Sequence, residues 1–531
     1  MKRLLLLLLV MCAVPAFSAT VFVAQTAGTF SGGSACNGQT AESVATFNSG
    51  TETAGNIYYL CGVITTSPSL NGSGTSGNVI TMRWDTGARI SQPVATGINI
   101  NGSASFWLFD GLVPCGPGTA CASTEESSLT GYGSWQGGII EATANGSALA
   151  NQSTPSTGFT GCNGCHDIEI RNLIVRNLYV HSSLTDGTNN ADAQVFTWTC
   201  LGGSACAAGI ISIHDSNIHD NGNAINIDVT SGTTVNIFND DFYRNNWAIG
   251  NSGNGTRTVN IHDNAGHDVN NWDTTADTFH HNFLHNFTNV SSDSLALNLY
   301  NNFTYGNFGC CTTAQLAFTE VVNPANFFVY NNVTLEDCSN AEPIPGYEDA
   351  LTSGPAQTIV NNTFIGCITT PSNDWAIELS GTGGVFENNV IQGYGQYVVV
   401  ESGYTFTALD FNTYGPQGIT GVNAWQFGST GANSFSAWKT ACACDSHGQQ
   451  NANLNVNSNG VQQTGSVIIG SGTNLTTLGI STLDSATTAG NTIAAVARPS
   501  TGAWDAGAYE FGSSSGPSAV TGLKAIGVII Q

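Results

Sequence analysis

Charge is what this chain has least of. Only 9% of its 531 residues are Asp, Glu, Lys or Arg, against about 25% in an ordinary soluble domain. Basic residues are the scarcest, with 11 Lys and Arg facing 36 Asp and Glu. So few charges exclude coiled coils, which need charged flanking positions, and charge-rich disorder. Methionine falls to 3 and proline to 14. Beyond the first residues no apolar run is long enough to cross a bilayer as a helix. The acidic balance repels phosphate backbones, so nucleic acid is not an expected partner. What is abundant is Gly, at 63, and Asn, at 55, with many Ser and Thr. Asn and Gly tolerate left-handed turn conformations. With 41% hydrophobic residues for a core, the composition points to an all-β chain of many short strands joined by turns.

Residues 1–19 read as a secretory signal peptide. Lys2 and Arg3 precede an apolar run over 4–14 that is too short to span a membrane, and cleavage is expected after Ala16, Ser18 or Ala19. Met11 before Cys12 is a poor match to a lipoprotein box, so no lipid anchor is expected. Without Lys2 and Arg3, nine basic residues face 36 acids, a net charge of −27. The expected location is secreted or periplasmic. One of the 15 Cys lies in the leader; the remaining 14, an even number, suggest disulfides. Cys115/Cys121 and Cys200/Cys206 have the spacing of loop staples. Cys162 and Cys165 lack the second pair that a zinc ribbon needs.

The most informative feature is a repeat. Ile211-Ser-Ile-His214-Asp215-Ser-Asn-Ile-His219-Asp220 recurs after 24 residues from Val235 to Arg244, and after another 24 from Val259 to Asp268. Related copies lie at 170–177, 279–286, 299–306, 329–336, 359–366 and 386–393. Each alternates apolar and polar residues, breaks at a polar pair, then resumes one apolar position. That is two short strands around a bend. The first inward position reads Ile170, Ile213, Ile237, Ile261, Phe279, Leu299, Val329, Ile359 and Phe386, without a polar exception. The bend reads Asn264, Asn282, Asn302, Asn332, Asn362 and Asn389, an expected internal ladder of amides. One rung cannot bury such a face alone, whereas stacked rungs build a continuous core. The expected fold is a parallel β-helix solenoid.

The repeats resemble those of right-handed parallel β-helix proteins of the pectate-lyase-like superfamily. Trp504-Asp-Ala-Gly-Ala-Tyr-Glu-Phe511, and Phe435-Ser-Ala-Trp438 followed by Asp445-Ser-His, resemble the C-terminal region of its secreted members. The resemblance covers roughly residues 20–511. It implies a right-handed parallel β-helix with N- and C-terminal capping regions, and leaves function open among lyases, hydrolases, epimerases and adhesins. The expected organisation is an N-terminal cap with first coils at 20–165, regular coils at 166–400, closing coils with a cap at 401–511, and a linker-like tail at 512–531. Inserts near 182–208 and 340–356 are expected to wall a groove.

Aligned copies place rings in two exterior columns. One carries His214, Phe238, His262, His280 and Tyr300; the other carries His219, Tyr243, His267, His285 and Tyr305. Rings at rung spacing suit sugar faces, and equally suit stacking on one another. His166, His214, His219, His262 and His267 each precede an Asp, but Asn pairs fill the same slots in later copies. Turn filling therefore explains them, and no metal site is assigned. Asp220, Arg244 and Asp268 form a column read as an ion-pair ladder. Asp215 and Asp263, about 9.6 Å apart across two rungs, are the candidate catalytic acids by elimination. No polygalacturonase-like signature is assembled. The expected activity is binding, and cleavage by a lyase- or hydrolase-like route, of an extracellular polysaccharide or cell-surface glycan by a monomer. Ca²⁺ is the one cofactor left open, as a bridge to uronates. The alternative is a non-catalytic surface or matrix solenoid of the adhesin type.

Overall fold

The computed structural model describes residues 18–512 apart from 94–96, 127–136, 144–156, 163, 179–193, 200–207, 230–231, 254, 270–280, 289–293, 309–313, 322–325, 339–344, 350–356, 368–374, 420, 479–485 and 487–492. His280, Cys200, Cys206, Cys310, Cys311, the leader to residue 17 and the tail from 513 lie outside the described residues.

The chain is a parallel β-helix. Three sheets, of 15, 13 and 13 strands among the described residues, run its length. A representative rung contributes Gly209–His214 to sheet 1, Asn217–His219 to sheet 2 and Asn223–Val229 to sheet 3. The next begins with Thr233–Phe238, paired in parallel with the first. A right-handed turn is the sense that twisted L-residue strands favour in such crossovers. Ile170, Ile213, Ile237, Ile261, Leu299, Val329, Ile359 and Phe386 stack in register and are buried.

The repeat has three strands per rung, one more than the sequence alternation indicates. The third varies in its distance from the other two, so no fixed offset marks it. Both expected inserts contain such a strand: Gln194–Thr199 and Tyr347–Asp349 belong to sheet 3. The copy at 279–286 is corrected likewise. Sheet 1 passes directly from Thr256–His262 to Ser294–Tyr300, and Leu284–Thr288 belongs to sheet 3. Coils in register with the later ones are present before 166, since Ile80–Trp84 pairs in sheet 1 with Trp107–Asp110, which pairs with Ile168–Arg171.

Between sheets 1 and 2 the chain turns on one left-handed residue. Asp215, Asn239, Asp263, Asn301, Asn331, Asn361 and Asn388 have φ of 54–59°, a region that Asn and Asp enter more readily than other side chains. The residue after each points inward. Asn264, Asn302, Asn332, Asn362, Asn389 and Asn412 form one hydrogen-bonded ladder in which each amide donates to the oxygen of the next at 3.0–3.1 Å, and Asn412 ends it by donating to Asp445 at 3.5 Å. Each also donates to a backbone carbonyl of the preceding rung, as Asn332 does to Leu299 at 2.9 Å. Asn282 stands outside the ladder and donates to the Ala314 carbonyl.

Aromatic and polar groups close the far end. Asp445 accepts from the Tyr414 hydroxyl at 2.7 Å and the Trp438 indole at 3.3 Å, and burial pushes its carboxyl up to about 6. Trp438 lies on helix Phe435–Cys442, whose first turn is capped by the Ser434 hydroxyl. At the near end, helix Val44–Ser49 buries Val44 and Phe47. The Asp85 carboxylate there accepts the backbone N–H groups of Ser34, Ala35 and Cys36 at 2.9–3.0 Å.

The described residues of 451–511 do not add further rungs. They fold back along the outside of sheets 2 and 1, seating Tyr509 and Ala508 against Phe303 and Val333 of sheet 2, and Trp504 and Leu475 against Val360 of sheet 1. The buried Arg498 guanidinium donates to the Asp505, Gly507 and Ala508 carbonyls, to Glu510 at 2.9 Å and to Asn331 at 3.1 Å. The left-handed Asn361 donates to the Asp505 and Gly507 carbonyls. Gly507, with φ of 84°, passes so close to Val390 and Thr363 that a β-carbon would stand 2.7 Å from the Thr363 hydroxyl. The Trp504–Phe511 motif is therefore a strap clasp.

Among the described residues five disulfides join Cys36–Cys61, Cys115–Cys121, Cys162–Cys165, Cys338–Cys367 and Cys442–Cys444. They point to an oxidising compartment. Among the described residues no helix is long and apolar enough to cross a membrane.

Upstream of Asn264 the ladder continues through Asp240 and Ser216. Asp240 is fully buried, and its Oδ2 lacks the N–H that an Asn would carry there. Burial holds its carboxyl well above the usual range, and the Asp215 and Asp241 charges add to this. A raised folded pKa means stability that is present below the unfolded value and lost as pH rises through the folded one. Asp240→Asn should therefore match wild type near pH 4 and exceed it by about 1–3 kcal/mol at pH 8, read as a pH-dependent gap in urea midpoints. A gap independent of pH would contradict this.

Candidate functional site

The first ring column stands on the outer face of sheet 1. His214, Phe238, His262, Tyr300 and Tyr330 stack with centroids 4.5, 5.1, 4.6 and 4.8 Å apart and planes within 9°. Their faces are thus turned to one another and their edges outward. In the second column His219, Tyr243, His267 and Tyr305 stack at 4.6, 5.1 and 4.6 Å. This column is not an exterior stripe, for Tyr243 is 1% exposed and His219 2%. His285 is in neither column. It lies on sheet 3 between Gly250 and Phe318, with Nε2 3.2 Å from Glu320.

Each His–Asp pair closes on itself. Nδ1 of His166, His214, His219, His262 and His267 lies 2.6–2.8 Å from Oδ2 of the following Asp. In His214 and His267 the second ring nitrogen also meets a carboxylate, Glu169 at 3.3 Å and Asp241 at 3.2 Å. Burial by itself would lower both imidazole pKa values. The flanking carboxylates outweigh it and carry each up to about 9. At neutral pH these two rings are imidazolium ions, unsuited to serve as bases or to ligate metals.

The acids chosen by elimination are committed as well. Burial would raise the Asp215 carboxyl, but its hydrogen bonds to His214 and Asn239 hold it below the usual range, so it is not poised to donate a proton. Asp263 accepts from His262 and Asn301. Asp220 binds the Arg244 guanidinium through two bonds of 2.9 and 2.7 Å, as expected of an ion-pair ladder. Asp268 completes that column by accepting from His267 and the Asn307 backbone N–H. A second ladder at the N-terminal end of sheet 1 joins Arg83, Asp110, Arg171, Glu169 and His214 at 2.9–3.3 Å.

A different row of groups carries the properties of an acid catalyst. On the outer face of sheet 3, Gly250, His285, Phe318 and Glu348 occupy successive rungs. Glu378 lies beside Glu348 on the next, since Tyr347 pairs with Ile377. Adjacent rungs are about 4.8 Å apart. Burial, the Glu348 charge and a hydrogen bond to Glu401 push the Glu378 carboxyl up to about 8. A protonated carboxyl is thereby held beside further carboxylates on a partly exposed face, the contrast that separates acid from base in carboxylate catalysis. Rings flank the row: Trp247 lies 5.2 Å from His285, and His285 lies 5.2 Å from Phe318. The row is absent from the two aligned columns because it lies on the third strand. The signal available for it was the 30-residue step from Tyr347 to Ile377, equal to that from Val329 to Ile359.

Among the described residues no three His, Cys, Asp or Glu side chains converge as a metal ligand set. No family model matches the chain, and a search of curated proteins finds no relative.

Because His214 and His267 titrate near 9 in the fold and near 6.5 when unfolded, their contribution to stability is complete below about 6.5 and is lost as pH rises through 9. Melting temperature should fall across this interval, and the fall should be shallower in the His214→Gln/His267→Gln double variant. Parallel melting curves for the two proteins would contradict the ion-pair assignment.

Proposed function

We propose that the protein is a secreted or periplasmic carbohydrate-active β-helix, related to the pectate-lyase-like superfamily, that hydrolyses an extracellular polysaccharide on the outer face of sheet 3. The observation that carries this reading is Glu378, protonated to about 8 beside Glu348 and Glu401. Glu378 donates its proton to the departing glycosidic oxygen. A neighbouring carboxylate, Glu348 or Glu401, supports the positive charge that develops at the sugar carbon or draws a proton from the attacking water. Trp247, half-buried on a nearby rung, offers apolar surface to a sugar ring.

Hydrolysis is favoured over elimination by the arginines. A lyase base must give up its proton, whereas Arg83 and Arg244 are paired with Asp110 and Asp220, which favour their charged forms, and Arg89, Arg171 and Arg176 each sit within 3.6 Å of a carboxylate. The mutual stacking of the ring columns favours a second reading, the non-catalytic solenoid, in which rings and ion pairs serve stability alone.

Incubation with a polysaccharide panel, with and without Ca²⁺, separates the two. Hydrolysis yields new reducing ends without unsaturated-uronate absorbance, and the rate falls as pH rises above about 8, where Glu378 loses its proton. Glu378→Gln should lower the rate by about 10²-fold or more with the fold intact. Silence of the wild-type protein across the panel would establish the structural solenoid instead.

A further inference from the structure

The outer face of sheet 1 is divided into three zones. At its N-terminal end outward positions carry the ion-pair ladder of Arg83, Asp110, Glu169 and Arg171. At its C-terminal end Val360 and Val385 are apolar and pack with Leu475, Leu478 and Trp504 of the strap. Between them lie four rungs aligned in register, of which the last meets the strap through Tyr330. Their outward strand positions read Thr234-Asn236-Phe238, Thr258-Asn260-His262, Ala296-Asn298-Tyr300 and Asn326-Phe328-Tyr330. No Asp, Glu, Lys or Arg occurs among these twelve residues, on a chain with 36 acids.

The middle of this window is a second amide ladder, on the outside of the solenoid. Asn298 donates to Asn260 at 2.7 Å, Asn260 to Asn236 at 2.8 Å, and Asn236 to the Ser212 hydroxyl at 3.3 Å. An amide has two N–H groups and two acceptor lone pairs. The ladder consumes one N–H of each Asn and leaves the other outside it, repeated at rung spacing, about 4.8 Å. Side by side with this strip runs the column of Phe238, His262 and Tyr300, presenting ring edges. The ladder fixes the amide rotamers and the stack fixes the rings, so little side-chain entropy remains to be lost on binding.

We propose that this window binds a neutral, hydroxyl-rich polysaccharide laid across the rungs. The lack of charge matches a neutral partner and disfavours a uronate polymer, which the strongly acidic chain repels. Sugar hydroxyls would pair with the outward amide groups and sugar CH faces would rest on the ring edges. The chain supplies an example of such recognition where the strap covers the neighbouring rungs. Asn361 and Asn388 donate their side-chain amides to carbonyls of that extended segment at 2.8–3.2 Å. The inference deepens the carbohydrate reading but does not depend on Glu378, since binding and cleavage lie on different sheets.

The test is depletion of the full-length protein from solution by insoluble cellulose, chitin and mannan, with alginate and polygalacturonate gels formed with Ca²⁺ as acidic counterparts. Wild type and Glu378→Gln should bind at least one neutral matrix equally, and binding should survive 1 M NaCl because no ion pair contributes. Thr258→Arg, outside the ladder, and Asn260→Asp, within it, should each weaken binding by about tenfold or more while melting curves stay cooperative. Thr258→Arg keeps the test valid if Asn260→Asp disturbs the fold. Failure of wild type to bind any neutral matrix, preference for the acidic gels, or binding unchanged in Thr258→Arg would overturn the proposal. Loss of cleavage in Glu378→Gln with binding retained leaves the window standing whatever becomes of the catalytic reading.

Discussion

The fold depends on one backbone event repeated from rung to rung: a single residue in the left-handed conformation followed by an inward polar side chain, which from Asn264 to Asn412 is an amide. The left-handed residue turns the chain sharply enough for the next side chain to enter the core. That places a polar group in an apolar interior, which is costly unless every donor and acceptor is met. The ladder from Asn264 to Asn412 meets them, each amide bonding to the rung before and the rung after. Register follows from this, because a slip of one residue would strand every amide in the stack.

The ends and the outside are built on the same device. Asp445, itself left-handed, terminates the ladder and hands its second oxygen to Tyr414 and Trp438, so the capping helix is fixed to the last amide. On the outer side the left-handed residues have side chains to spare, and the chain uses them by position. Asp215 and Asp263 clamp the preceding imidazole, and Asn331, Asn361 and Asn388 hold the returning strap. The few charges are spent mainly in these local pairs, which is how a chain with so little basic character accommodates its carboxylates. Glu378 differs in having the Glu348 charge and Glu401 beside it, which together with burial favour its protonated form.

Much of the fold was legible in the sequence because its cause is local. Ile213, Ile237 and Ile261 recur at the strand period, and the polar pair after them marks a bend whatever the rest of the chain does. The His–Asp pairs were legible as turn fillers for the same reason. The copy at 279–286 shows the limit: an Asn preceded by apolar and aromatic residues imitates the repeat, yet its strand belongs to sheet 3. Local pattern cannot tell which sheet a strand joins when connections differ in length.

The sequence by itself determined the rung, meaning the alternation that buries one face, the left-handed residue and the ladder amide, because each depends on neighbours within about ten positions. Tertiary structure alone decided what stands beside what. It set Glu378 against Glu348 and Glu401, buried the Tyr243 column, laid 451–511 over Val333 and Val360, and left Asn236, Asn260 and Asn298 open as an outer ladder. These pairings join residues from separate rungs or from opposite ends of the chain. A carboxyl acquires its pKa, and a ring its exposure, from whatever the fold brings alongside it, and no stretch of sequence holds both partners.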